Sequence, residues 1–307
     1  MAEYSISEIS ANPVSEGVRF TLGGATAFAV RQESKDVALR IRRGGQPGRR
    51  ILSRIPILRG MCRFIFGITD LVGGLSESAD LEPQHITRGA RWEQTAAKWM
   101  RIRPESMIAF GSGILLVVIL AALLFGLPMG VEKVLSLNPV PLPRAAENVI
   151  VCLTRIVGLL AALAVVPRLR VMRWLCMYQG AINKVINTYQ GNGGHVTLEE
   201  AKEAWYISPR CDFAFVTLVL CLSIIAYALV RTYTLPLQLL LRVALTLAIA
   251  GLVNEPIQAL ENMSPDDPAA PLIEPMLWLQ RLFVAEPHEQ MVEVAVFAFN
   301  AARENDI

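Results

Sequence analysis

The chain has 307 residues, 53% of them hydrophobic, and a formal net charge of only +2. Its mean hydropathy is +0.42. Soluble domains run near about 45–50% apolar, so an ordinary soluble domain is excluded. The five cysteines are odd in number and show no CxxC spacing, which excludes a disulfide framework and a zinc knuckle.

Residues 1–12 are polar and acidic, with no basic-then-apolar leader, so export of the whole chain is not expected. Residues 18–22 and 25–31 alternate in the strand period around Gly23-Gly24, a hairpin-turn dipeptide, and 37–42 alternates too. A small antiparallel sheet is predicted there, closed off by the Gly/Pro-rich stretch 44–48. Residues 51–75 mix Ile, Leu, Phe and Met with Arg54, Arg59 and Arg63. That stretch is too charged to span. It reads either as an amphipathic helix on the inner leaflet, its basic side chains near anionic lipid, or as a helix packed on the sheet. The polar stretch 77–103, helical around 92–100, leads into the first apolar run.

Four apolar runs follow. Residues 107–128 and 213–230 carry no charge, whereas 148–166 and 235–253 carry one arginine each, Arg155 and Arg242. Each is near the roughly 20 residues that a helix needs to cross the hydrocarbon core. Basic residues dominate between Arg31 and Arg63, where Glu33 and Asp36 are the only acids. They recur at Arg168, Arg170, Arg173, Lys184, Lys202 and Arg210, while the alternate loops are nearly neutral. Lys and Arg near span ends stay in the cytoplasm. The threading is therefore N-terminus inside, four spans, C-terminus inside.

Between spans two and three, a helix continues past Pro167 to Tyr189 and stops at the Gly-rich 191–194. Thr197 and Glu200 form a capping box that opens a short helix toward Trp205. The chain closes with an amphipathic helix at 289–303 that buries Val292, Val296 and Phe299. The expected fold is mainly α: a polytopic membrane protein with four transmembrane helices, a small N-terminal antiparallel β element and cytoplasmic amphipathic helices. Its segments are a β-rich piece at 1–50, an interfacial helical piece at 51–103, and spans one and two within 104–166. A cytoplasmic helix–loop module at 167–212, spans three and four within 213–253, and a cytoplasmic helical piece at 254–307 complete it.

Gln179, Asn183 and Asn187 recur at i, i+4 and i+8 on one face of the exit helix. Histidines at those positions would make a metal-ligand face; amide oxygens are weak ligands for zinc. Their bland role is to satisfy buried backbone groups. The stretch Tyr178-Gln179-Gly180-Ala181-Ile182-Asn183-Lys184 resembles the tyrosine–HGAEHK motif of the YqhQ family, bacterial and plastid membrane proteins of unknown function often labelled metal-dependent enzymes. The resemblance extends through Glu16-Gly17-Val18, Leu58-Arg59-Gly60, Pro209-Arg210-Cys211, Trp278-Leu279-Gln280-Arg281, Glu286-Pro287 and Glu293-Val294-Ala295, nearly the whole chain. It implies a multi-pass protein of the bacterial inner membrane.

The departures from the motif remove its chemistry. Gln179 and Asn183 stand where the family has histidine, and Ile182 where it has glutamate. Asn187 and Gln190 replace a later histidine and glutamate, and Ser208 the histidine before Pro-Arg-Cys. Gly180, Lys184, Pro209, Arg210 and Cys211 remain. A fold kept without its site is expected, with no cofactor and no metal. Arg210 is expected to tie span three to the acidic C-terminal segment through Asp212, Glu255 or Glu286.

With no acid inside any run, Arg155 and Arg242 either snorkel outward or share a pocket for an anionic headgroup or acidic partner. His85, His195 and His288 are scattered in polar loops and read as solvated. The aromatics form no stacking series with the basic cluster, so no specific nucleic acid is expected as a partner. Expected partners are the lipid bilayer and a second protein or a homo-oligomer in the membrane. Three function classes stay open. One is a non-catalytic scaffold or accessory subunit of a membrane complex, with membrane-protein biogenesis as one setting. The others are a metal-dependent enzyme and a transporter or lipid-handling protein.

Overall fold

The computed structural model describes residues 9–14, 17–31, 37–43, 55–78, 130–131, 133–134, 143–168, 170–192, 195–227, 235–261 and 267–305. The polar stretch 79–103 and the first apolar run, 107–128, lie outside them. Strands β1 (Ile9–Val14), β2 (Gly17–Leu22), β3 (Ala25–Arg31) and β4 (Val37–Arg43) come first. Helices α1 (Pro56–Ser78), α2 (Arg144–Val165), α3 (Arg170–Asn192) and α4 (Leu198–Glu203) follow. The last four are α5 (Asp212–Tyr227), α6 (Leu235–Glu261), α7 (Glu274–Phe283) and α8 (Glu289–Glu304).

The sheet is an antiparallel meander of order β1-β2-β3-β4. Its central hairpin turns at Gly23-Gly24 as the alternation predicts, with Leu22 opposite Ala25. Strand β1 is an addition to the three predicted strands. Its sequence, with Pro13 near its end, has no clean strand period, and its pairing with β2 forms it. Proline is tolerated there because β1 is an edge strand.

Helices α3 and α8 close one core with the sheet. Phe20 of β2 meets Phe299 edge-on at 5.4 Å, and Tyr189 of α3 lies 5.2 Å from the same ring. The predicted face of α8 is the buried one: Val292, Val296 and Phe299 all belong to this cluster. The capping box forms in both directions, Thr197 accepting from the Glu200 amide and Glu200 accepting from the Thr197 amide.

A second core gathers α2, α5, α6 and α7 with Phe64 of α1. Helix α5 packs against both α2 and α6. Two helical segments among the described residues are long and apolar enough to cross a membrane, Ala146–Val165 and Leu240–Glu261. The third run forms α5, which is apolar and covers 16 residues among those described. The expectation of four spanning helices is thus met only in part, by length and composition.

Helix α1 crosses the C-terminal half of α6 at contact distance. A Cβ on Gly60 would collide with the Ala250 carbonyl oxygen, and one on Gly251 would lie 2.8 Å from the Ile57 carbonyl oxygen. Small residues let two helix backbones approach this closely. Gly60→Ala should therefore force the helices apart and cost about 1–3 kcal/mol, the usual range for overpacking. Thermal unfolding of the purified variant measures it; an unchanged midpoint would mean the crossing is looser than drawn.

Candidate functional site

The amide face of α3 points at the loop between α4 and α5 and holds it by its backbone. Asn183, fully buried, donates to the Tyr206 carbonyl at 2.9 Å and accepts from Gln179 Nε2 at 3.1 Å. One turn on, Asn187 Nδ2 donates to the carbonyls of Trp205 and Ile207, at 2.7 and 2.8 Å. From α7, fully buried Gln280 grips Ser208 at both ends. Its Oε1 accepts from the Ser208 amide at 3.2 Å, and its Nε2 donates to the Ser208 carbonyl at 2.6 Å. Asn183 Nδ2 also reaches Gln280 Oε1 at 3.5 Å, so the two clamps touch. The carbonyls of residues 205–208 and the Ser208 amide are therefore satisfied by side chains where no helix or sheet could do it.

The retained motif residues serve the same assembly. Gly180 lies where any side chain would strike the Ala285 carbonyl oxygen, and the Ala285 amide donates to the Cys176 carbonyl at 3.2 Å. Buried Lys184 donates to the Lys202 carbonyl at the end of α4 (2.8 Å) and lies 3.7 Å from Glu286. Gln190 Nε2 is buried and makes no hydrogen bond within the described residues. Pro209, Arg210 and Cys211 lead into α5. Burial pushes the Cys211 thiol up to about 12, so it stays protonated at neutral pH and is a poor nucleophile and metal ligand.

These residues do not fit a divalent metal. The Asn183 and Gln280 oxygens already accept hydrogen bonds within the clamp, and the cluster carries no anionic donor. Among the described residues no three His, Cys, Asp or Glu side chains group as a metal would need.

A second constellation was not legible in the sequence. Arg63 of α1 bonds Asp212 at the start of α5 (2.9 Å) and Glu261 at the end of α6 (3.0 Å), and its guanidinium sits 4.5 Å from the Phe215 ring centroid. Burial works against its charge, but the carboxylates of Glu261 and Asp212 outweigh that and hold it charged. Four residues earlier, Arg59 pairs with Glu255 at 2.6 Å. Arg210 engages a backbone partner that the expectation did not include. Its Nε and Nη2 donate to the Glu261 backbone carbonyl, at 3.2 and 3.0 Å, capping α6. Arg59 and Arg63 hold Glu255 and Asp212, and Lys184 lies 3.7 Å from Glu286. The only sequence signal was the i, i+4 spacing of Arg59 and Arg63, which places both on one helix face.

Arg155 and Arg242 lie on different neighbours of α5, namely α2 and α6. Arg242 stacks 5.5 Å from the Tyr227 ring centroid, and the Tyr227 hydroxyl bonds Thr246 and the Arg242 carbonyl. Arg155 is half-buried. His195 and His288 are exposed, and His85 falls outside the described residues.

A helical chain with a small N-terminal sheet, two apolar helices and this clamp matches a family model described as "Protein of unknown function (DUF1385)" over residues 55–305. The chain belongs to that family. It is similar to the uncharacterized protein YqhQ of Bacillus subtilis (strain 168), 27% identical over 294 residues that cover 94% of this chain and 89% of that protein. No solved structure matches.

Proposed function

We propose that this protein is a four-span membrane protein with both termini in the cytoplasm, and that it works as a non-catalytic scaffold or accessory subunit of a membrane complex. The module built from the sheet, α3 and α8 is its cytoplasmic face. The observation that carries the reading is the clamp itself: Asn183 and Asn187, two of the residues that replace the motif's polar ones, are spent on holding backbone, and Gln179 is bonded to Asn183. Membrane placement draws support from how little the apolar segments bury. Only 28% of each candidate span is buried inside the protein, and Val149, Leu153 and Val157 form an exposed stripe along α2. A core helix of a soluble fold would hide such a stripe.

Two measurements test this. Impermeant thiol labelling of intact cells should reach cysteines placed at Asn138 or Thr232 and miss those placed at Gly45 or Asn192; labelling at Asn192 would reverse the threading. Protein purified in gentle detergent should bring down a stoichiometric polypeptide and no stoichiometric metal. A one-to-one metal that is lost in Asn183→Ala would overturn the non-catalytic reading in favour of a metal-dependent enzyme.

A further inference from the structure

Helix α1 is amphipathic the wrong way round for a helix in water. Between Ile55 and Ile68 its only charged side chains are Arg59 and Arg63, and both turn inward to acids on α5 and α6. The face turned outward is apolar. Ile57, Ile65 and Ile68 are 49%, 43% and 40% exposed, and with half-buried Met61 they recur at i, i+4, i+8 and i+11, one stripe of a helix. Gly60, Phe64 and Gly67 pack inward against Ala250, the second core and Val216. Water rewards the reverse arrangement; lipid rewards this one, because charged side chains there face the bundle and pair with one another.

The stripe is also continuous with a candidate span. Ile57 lies against Gly251 of α6, and the next residue, Leu252, is 65% exposed on the same face as exposed Leu237 and Leu241. The acids that Arg59 and Arg63 engage sit at Glu255, Glu261 and Asp212, at the end of α6 and the start of α5. On the proposed threading, which this inference requires, α1 is therefore at the level of the inner leaflet.

We infer that α1 is an in-plane membrane helix that buries its Ile57–Met61–Ile65–Ile68 stripe among the acyl chains of the inner leaflet, with Arg59 and Arg63 fastening it to α5 and α6 and not to lipid headgroups. Its partner is acyl chain, so its attachment does not depend on anionic lipid. This separates it from a basic surface helix, whose binding rises with every anionic headgroup available.

The test uses the full-length chain in lipid nanodiscs with a benzoylphenylalanine photocrosslinker in place of Ile65 or Ile68, and in place of Val157 on α2 as the reference. The adducts are identified by mass spectrometry. Lipid adducts are expected at all three positions, with yields at 65 and 68 that change by less than about twofold when phosphatidylcholine is partly replaced by phosphatidylglycerol. Lipid at Val157 but none at 65 and 68 overturns the inference and leaves the membrane reading standing. A covalent dimer from 65 or 68 overturns it in favour of a second copy of the chain. Yields at 65 and 68 that climb steeply with phosphatidylglycerol return α1 to a headgroup-bound surface helix. Absence of lipid at Val157 sinks the membrane reading itself, and this inference with it.

Discussion

Gln280→Leu is expected to destabilise the protein by about 2–5 kcal/mol, because each buried backbone group left without a partner costs about 1–3 kcal/mol. Gln280 and Ser208 are both fully buried. The leucine keeps the volume, so little of the loss comes from a cavity, but the Ser208 amide and carbonyl both lose their partner. Asn183→Leu should act on the same unit by releasing the Tyr206 carbonyl. Since the two amides touch, the double variant should lose clearly less than the sum of the singles. Amides do not titrate, so the loss should also be flat between about pH 5 and 8, where a histidine cluster would change charge. Thermal unfolding in detergent with limited proteolysis near residues 204–211 reads all three. Strict additivity, or an unchanged unfolding midpoint for Gln280→Leu, would show that the loop is held by something other than the clamp.

Arg63→Ala should cost about 3–5 kcal/mol, the range for removing one partner of a buried ion pair. The side chains of Arg63 and Glu261 are only 14% and 8% exposed, so Glu261 would be left buried without its counter-charge. The loss should be largely recovered when Glu261→Gln and Asp212→Asn are added, since no uncompensated charge is then left behind. Arg59→Ala is the internal comparison. Its pair with Glu255 is 34% and 40% exposed, and pairs this accessible are worth about 0–1 kcal/mol. If Arg59→Ala and Arg63→Ala prove equally damaging, burial is not what sets the strength of these contacts. If the triple variant is no better than Arg63→Ala, the cation–π contact with Phe215 and packing carry the effect instead.

The two clusters differ in how they could be read. Asn183 and Asn187 were visible as a polar face on α3, and their use as partners for buried backbone follows from the poverty of amides as metal donors. Which backbone they hold was not visible: Asn183 reaches 23 residues forward to Tyr206, and Gln280 closes on Ser208 from 72 residues away. The α1 arginines were harder still. Read locally, Arg59 and Arg63 look like a basic face turned to a membrane surface. Their partners lie 149, 196 and 198 residues downstream, and nothing in the local pattern of either segment announces the other.

What the sequence by itself determined are the features whose energy is local. The hairpin at Gly23-Gly24, the Thr197–Glu200 capping box, the buried face of α8 and the apolar character of α2, α5 and α6 all follow from spacing of i+2, i+3 and i+4 within one element. Only the tertiary structure decided the rest. It recruited β1, whose Pro13 a lone strand would not favour, and it turned the arginines of α1 inward. The reason is the same in each case. A polar or charged side chain is served equally well by water, lipid headgroup, backbone or counter-charge, so its own position in the chain cannot say which it will meet, and that choice falls to the packing that brings distant segments together.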